Sequence, residues 1–225
     1  MSIFDIIGPI MIGPSSSHTA GAVRIGLAAR AIIGGDLSGA VITLHGSFAE
    51  TYHGHGTDTA LVAGLLGMKP DDERIPDALQ IAWEKGLKIQ FQTGDLGDTH
   101  PNSVQLELIS PDGTKRCIKG ASIGGGDIII TGIDQFQVDF TGKNHALIIS
   151  YRDQPGMIAK ITALLATENV NIAAMRVSRT AKHFEALAVI ELDQPVPEKV
   201  ITRIEQAPDV GTLIVLPQTL LGEDV

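Results

Sequence analysis

The sequence predicts an α+β protein of two domains, a mixed α/β domain over residues 1–143 followed by a compact βαββαβ unit over residues 144–225. Three observations carry that expectation. A chain of 225 residues with 44% hydrophobic content can bury a core without disulfide or metal staples. Up to Thr141-Gly142-Lys143-Asn144 the pattern is irregular and rich in glycine. Beyond it, strand-period and helix-period segments alternate in close order.

In the first domain, Thr19–Ile33 reads as a helix with Ala22, Gly26 and Ala29 along one side, small residues that permit close packing. Ala40–His45 reads as a strand, and Thr57–Leu66 as a helix that follows the His53-Gly54-His55-Gly56 loop. Pro76–Lys85 is an amphipathic helix and Leu87–Gln92 a strand. Val104–Ile109 and Thr114–Lys119 form a hairpin, because Asp112-Gly113 between them is a strong turn signal. Ile128–Ile133 and Phe136–Phe140 are a further pair of strands.

In the second domain, His145–Tyr151 is a strand and Asp153-Gln154-Pro155-Gly156 a turn. Met157–Glu168 is a helix with Ile158, Ile161 and Leu165 on one face. Val170–Ser178 and Phe184–Leu192 are strands, Pro197–Gln206 is a helix with proline in its first turn, and Val210–Leu216 is the last strand. This order is the ferredoxin-like plan.

Composition narrows the function. A net charge of −9 repels phosphate backbones, and 4% aromatic content leaves little for base stacking, so no nucleic-acid partner is expected. The opening segment has no basic flank, and Gly8, Pro9, Gly13 and Pro14 interrupt its apolar run; neither a signal peptide nor a membrane span is expected. A cytoplasmic setting follows as the default. Cys117 is the single cysteine, so no internal disulfide and no multi-cysteine metal site can be built from this chain; it reads as a structural thiol.

Three polar loops hold the groups that can do chemistry. Ser15-Ser16-Ser17-His18-Thr19 stands at a predicted helix N-terminus, where hydroxyls and backbone N–H groups suit a carboxylate or phosphate. One of these residues would suffice as a cap; four hydroxyls and an imidazole exceed that need. His53-Gly54-His55-Gly56-Thr57-Asp58 leads into the next helix, with Asp58 placed to orient a histidine or to cap the helix. Thr99-His100-Pro101-Asn102 is the third loop. Of the seven histidines, His18, His53, His55 and His100 fall in these loops, and that grouping raises them above His45 and His183, which read as structural. A metal held by His53, His55 and His100 is the weaker alternative, because the carboxylates that usually complete such a site are missing.

These motifs together resemble the beta chain of the iron–sulfur L-serine dehydratases: Gly13-Pro14-Ser15-Ser16-Ser17-His18-Thr19, then His55-Gly56-Thr57-Asp58, then Thr99-His100-Pro101-Asn102. The C-terminal part resembles an ACT domain through Asp153-Gln154-Pro155-Gly156, the following helix, and Val170-Asn171-Ile172. The resemblance implies a lyase of amino-acid catabolism and gluconeogenesis that converts L-serine to pyruvate and ammonia. In that family a [4Fe-4S] cluster activates the serine hydroxyl as a leaving group, a base removes the α-proton, and the aminoacrylate tautomerises and hydrolyses. Cluster ligation by cysteine needs at least three thiolates, so a separate alpha chain is expected to carry it, and no metal is expected on this chain.

The roles implied are as follows. Ser15, Ser16, Ser17, Thr19 and Thr57 would bind the substrate carboxylate. His18 and His55 are the candidate proton-transfer groups, with Asp58 orienting one of them. His100 and Asn102 would bind a second serine or another carboxylate, at an active or an allosteric site. Asp153, Gly156 and Asn171 would hold an ACT ligand, with self-association through the ACT domain. The alternative is a purely regulatory, amino-acid-binding subunit with all chemistry in the partner. The N-terminal domain is also similar to the intervening regulatory domain of some phosphoglycerate dehydrogenases.

Overall fold

The computed structural model describes residues 10–51 and 54–218. The chain forms two compact units that divide between Asp134 and Gln135.

In the first unit the elements follow the expected order. A π-helical turn, Ser16–Ala20, runs straight into α1 (Gly21–Ile33). Then come β1 (Gly39–Leu44), α2 (Gly46–Thr51), α3 (Thr57–Leu65), α4 (Ala78–Glu84), β2 (Lys88–Thr93), β3 (Ser103–Ile109), β4 (Lys115–Gly124) and β5 (Asp127–Ile133). Within this unit the strands lie in the order β2-β1-β3-β4-β5. β1 is parallel to β2, with Ala40 opposite Ile89, and antiparallel to β3, with Ile42 opposite Leu106. Helix α1 is apolar almost all round, and Ala22, Val23, Ile25, Ala28 and Ala29 are completely buried. Such a helix belongs at the centre of a core rather than on its surface. It packs on α3 and, on another side, on β4 and β5.

The predicted small-residue side of α1 is where α3 crosses. A Cβ on Gly26 would lie 2.4 Å from the Leu61 carbonyl oxygen, and one on Gly64 would lie 2.1 Å from that of Val23. Neither position has room for a side chain, so the two backbones touch directly. Beyond α1, Gly34 N–H and Gly35 N–H bond to the carbonyls of Ala31 and Arg30, closing the helix.

Sequence and structure differ at several ends for local reasons. The helix expected from Thr19 is preceded by the π turn. Pro76 starts a short 3₁₀ turn (Ile75–Asp77), so α4 begins only at Ala78. The second hairpin strand, expected to end at Lys119, continues to Gly124, because Ala121 and Ser122 still pair with Ile129 and Ile128 across β5. Helix α2 was not expected. It is short and contains Gly46, which the 3.6-residue pattern cannot register.

The second unit holds β6 (Phe136–Phe140), β7 (His145–Arg152), α5 (Met157–Ala166), β8 (Ile172–Arg179), β9 (Glu185–Leu192), α6 (Glu198–Glu205) and β10 (Val210–Leu216). Strands β7 to β10 form an antiparallel sheet in the order β10-β7-β9-β8, so the βαββαβ plan is as expected. Leu147, Ile149, Tyr151, Ala188 and Ile190 from the sheet meet Met157, Ile161 and Leu165 of α5 and Val200 and Ile204 of α6. Met157 leads the buried stripe, whereas Ile158, expected on it, is only half-buried. Helix α5 stops at Ala166, before the expected Glu168, because Asn169 turns left-handed (φ 53°) and Val170 N–H bonds back to Leu165. Pro197 stands at the N-cap of α6 rather than inside its first turn.

Candidate functional site

The site is built on the N-terminal ends of two touching helices. The π turn that carries the serines packs against α3 and the end of β4. Ser15 is extended (φ −144°, ψ 128°) and its Oγ accepts the His18 backbone N–H at 3.2 Å, so one of the serines is the helix cap. At the start of the same turn, the N–H groups of Ser16 and Ser17 have no acceptor within the helix. Ser15, Ser16 and Ser17 are half-buried, while His18 and Thr19 are buried.

His18 is held on both ring nitrogens. Its Nδ1 lies 3.4 Å from Ser15 Oγ and its Nε2 lies 3.2 Å from Ser47 Oγ on α2. Phe48 and His55 stand edge-on to the ring, with centroids 5.3 and 4.9 Å away. Burial, followed by the neighbouring His55, pushes the His18 pKa below its ordinary 6.5, against an opposing contribution from the Ser47 backbone. The fold therefore favours neutral His18. Its contribution to stability is complete above pH 6.5 and is lost as pH falls below that value, because the unfolded chain takes up the proton first. The melting temperature of the whole chain is expected to fall between about pH 7 and pH 5, with a smaller fall in His18→Gln. Equal slopes in the two proteins would contradict the burial argument.

His55 is exposed, and neither ring nitrogen has a hydrogen bond among the described residues. Its backbone N–H bonds to the Thr51 carbonyl at 3.0 Å, which ties it to the end of α2. Gly56, left-handed at φ 67°, is the N-cap of α3. Thr57 and Asp58 follow in the first turn, both buried. Asp58 Oδ1 accepts the Thr59 N–H at 2.8 Å, and the residue also lines an open groove with Leu79, Trp83 and Phe91. A carboxylate in the first turn complements the helix dipole. His53, at the other end of that motif, lies outside the described residues.

The third loop joins the same neighbourhood through α2. Gly46 has φ 52° and sits so close to Pro101 that a Cβ would lie 2.6 Å from the Pro101 carbonyl oxygen. The Ser122 N–H in β4 donates to the Asn102 carbonyl at 3.0 Å, and the Asn102 N–H donates to His100 Nδ1 at 3.1 Å. His100 is exposed.

Among the described residues, three buried hydroxyls, on Thr19, Thr57 and Ser122, have no hydrogen-bond partner. Leaving a buried hydroxyl unpaired costs about 1–3 kcal/mol, so a polar ligand reaching one gains that back. Ser47 and Ser122 escaped the sequence reading. Nothing around them signals chemistry in one dimension, because both act only through contacts across elements. Arg24 also escaped it: it is buried in α1 and donates to the Gly126 carbonyl at 3.0 Å, in the Gly124-Gly125-Gly126 turn. A charged residue inside an otherwise apolar helix was the available signal.

Among the residues read as structural, His45 accepts the Leu96 N–H and the His183 N–H donates to Asp153. Cys117 is half-buried, and burial pushes its thiol pKa up, away from the thiolate that would bind iron. The residues present therefore do not fit an iron–sulfur cluster. Among the described residues there is no group of three or more His, Cys, Asp or Glu side chains placed to hold a metal ion. No described helix is long and apolar enough to cross a membrane. In the second unit, Asp153 accepts the His183 N–H (3.1 Å) and pairs with Arg179 (3.2 Å), which in that order hold its carboxyl below the usual range. Gly156 caps α5 at φ 92°, and Asn171 Nδ2 donates to Asp193.

An α+β protein with paired histidines at touching helix ends and an appended ACT domain defines a class, and comparison with known proteins agrees. Residues 2–82 match the serine dehydratase beta chain family and residues 145–209 the ACT domain family. The probable L-serine dehydratase beta chain of Bacillus subtilis is 42% identical over 93% of this chain and 94% of its own length. The L-serine dehydratase beta chain of Peptoniphilus asaccharolyticus is 39% identical over 90% of this chain and 92% of its own. A D-3-phosphoglycerate dehydrogenase of Synechocystis is 30% identical over 77% of this chain, but that stretch is only 31% of its length. The chain belongs to the serine dehydratase beta chain family.

Proposed function

We propose that this chain is the beta subunit of an L-serine ammonia-lyase, working with an alpha chain that holds a [4Fe-4S] cluster. The observation that carries the reading is the His18–His55 pair at the serine-rich helix start, in a chain similar over 93% of its length to a probable L-serine dehydratase beta chain. The Ser16 and Ser17 N–H groups, with the hydroxyls of Ser16, Ser17, Thr19 and Thr57, bind the serine carboxylate, while the Ser15 hydroxyl is engaged with His18. His55 accepts the α-proton, since its ring nitrogens make no hydrogen bond among the described residues. His18, already hydrogen-bonded on both sides, orients it, and Asp58 steadies the start of α3. His100 and Asn102 take a second carboxylate at the rim.

The chain purified alone is expected to be colourless and inactive, since its single cysteine cannot ligate a cluster. Anaerobic co-expression with an alpha chain is expected to give a brown complex that deaminates L-serine. An iron–sulfur absorption band from the beta chain by itself would sink this reading.

The ACT unit binds L-serine or a related amino acid at the Asp153–Gly156 loop and Asn171, between two associated copies. Calorimetry of the full chain with L-serine is expected to show a binding event that Asn171→Ala removes. A titration unaffected by Asn171→Ala would leave the ACT unit a structural role only.

A further inference from the structure

We infer that Ser47 is a positioning residue for the reaction: its hydroxyl accepts the Nε2–H of neutral His18 and so fixes the ring against which His55 stands. The inference rests on the reading of His18 and His55 as the reacting pair, and it begins with hydrogen-bond accounting around His18. Ser15 Oγ already accepts the His18 backbone N–H at 3.2 Å. Its own proton remains available to the imidazole nitrogen 3.4 Å away, and we take Nδ1 as the unprotonated nitrogen that accepts it. A neutral imidazole carries its proton on the other nitrogen. Nε2 is therefore the donor, and Ser47 Oγ, 3.2 Å away, is the acceptor.

Ser47 is well placed for such a task. Its neighbour Phe48 is completely buried, and Gly46 abuts the Pro101 carbonyl with no space for a side chain. The Ser47 carbonyl accepts the Thr51 hydroxyl at 2.7 Å, which closes the turn of α2. The serine cannot shift without moving a core aromatic. The chain Ser15–His18–Ser47 thus spends both nitrogens of His18 and leaves the proton-accepting role to His55, whose ring lies 83° to that of His18. Without Ser47 the His18 ring loses one of its two anchors and can turn about its side-chain bonds.

The test has two arms. In the full beta chain with ¹⁵N-labelled histidine, the imidazole signal that His18→Gln removes is expected to be an Nε2–H tautomer. It is expected to become a mixture of tautomers in Ser47→Ala and to remain Nε2–H in Ser47→Thr. In the assembled alpha–beta enzyme, Ser47→Ala is expected to lower kcat about ten- to hundredfold with little change in KM, and Ser47→Thr to recover most of that loss. An Nδ1–H tautomer in the wild type, or an unchanged tautomer or kcat in Ser47→Ala, overturns the inference. A wild-type complex without serine turnover, but with the expected tautomers, overturns the proposed function and leaves the hydrogen-bond assignment standing.

Discussion

His55→Ala in the assembled enzyme is expected to lower kcat by about 10²- to 10³-fold while KM for L-serine changes little, the signature of a lost proton acceptor. The residue is the better probe of the two histidines because it is exposed and makes no side-chain hydrogen bond among the described residues. Removing it disturbs little besides the chemistry. His18→Ala, by contrast, opens a hole beside the buried Phe48 and frees two serine hydroxyls, so its effect mixes rate with stability. The same measurement separates the two readings of the loops. The second reading is a purely regulatory, amino-acid-binding subunit. If His55→Ala keeps a normal kcat and alters only the sigmoidicity of the serine curve, the loops are regulatory and the chemistry lies in the alpha chain.

Much of the fold was legible because hydrophobic periodicity is local. The βαββαβ order of the second unit emerges from alternating segments such as Phe184–Leu192, and Asp112-Gly113 marks the β3–β4 hairpin of the first unit without help from tertiary structure. What stayed hidden depended on partners far along the chain. The extension of β4 to Gly124 is supported by β5, and α2 exists because Phe48 finds a core to enter. The π turn of Ser16–Ala20 has the same composition as an ordinary helix start, so no residue pattern announces it.

The candidate site was legible as residues and not as roles. Three loops with hydroxyls and imidazoles stood out by composition, and the structure brings the serine turn close to His55 and links both to the Pro101 loop through α2. Sequence alone treated His18 and His55 as equals. Their difference comes from burial and from Ser47, a residue 29 positions from His18 and silent in one dimension. Asp58 illustrates the converse. Its position in the first turn of α3 was legible, but its place beside Trp83 and Phe91 depends on how α4 and β2 lie against that helix.

Gly64→Ala is expected to destabilise the protein by about 3 kcal/mol or more, at the upper end of what overpacking does, because the added methyl meets backbone rather than a movable side chain. It would lie 2.1 Å from the Val23 carbonyl oxygen and 2.8 Å from the Gly26 Cα. The helices can accommodate it only by separating, which strips close packing from the centre of the first unit. Set against a total stability of about 5–15 kcal/mol, that loss should lower the melting temperature by roughly 10 °C. Gly39→Ala is the control: it adds the same methyl at a position where the nearest atom is 3.6 Å away, and it should change stability by about 0.5 kcal/mol or less. The crossing also sets the spacing of the two histidines to which the proposed function gives the proton chemistry. The serine turn runs directly into α1, and His55 immediately precedes the cap of α3, so any separation of α1 from α3 moves His18 relative to His55. Gly64→Ala should therefore lower kcat even at temperatures where the variant remains folded. An unchanged melting temperature would show that the helices do not meet at these glycines, and a normal kcat in a destabilised variant would uncouple the helix crossing from the histidine pair.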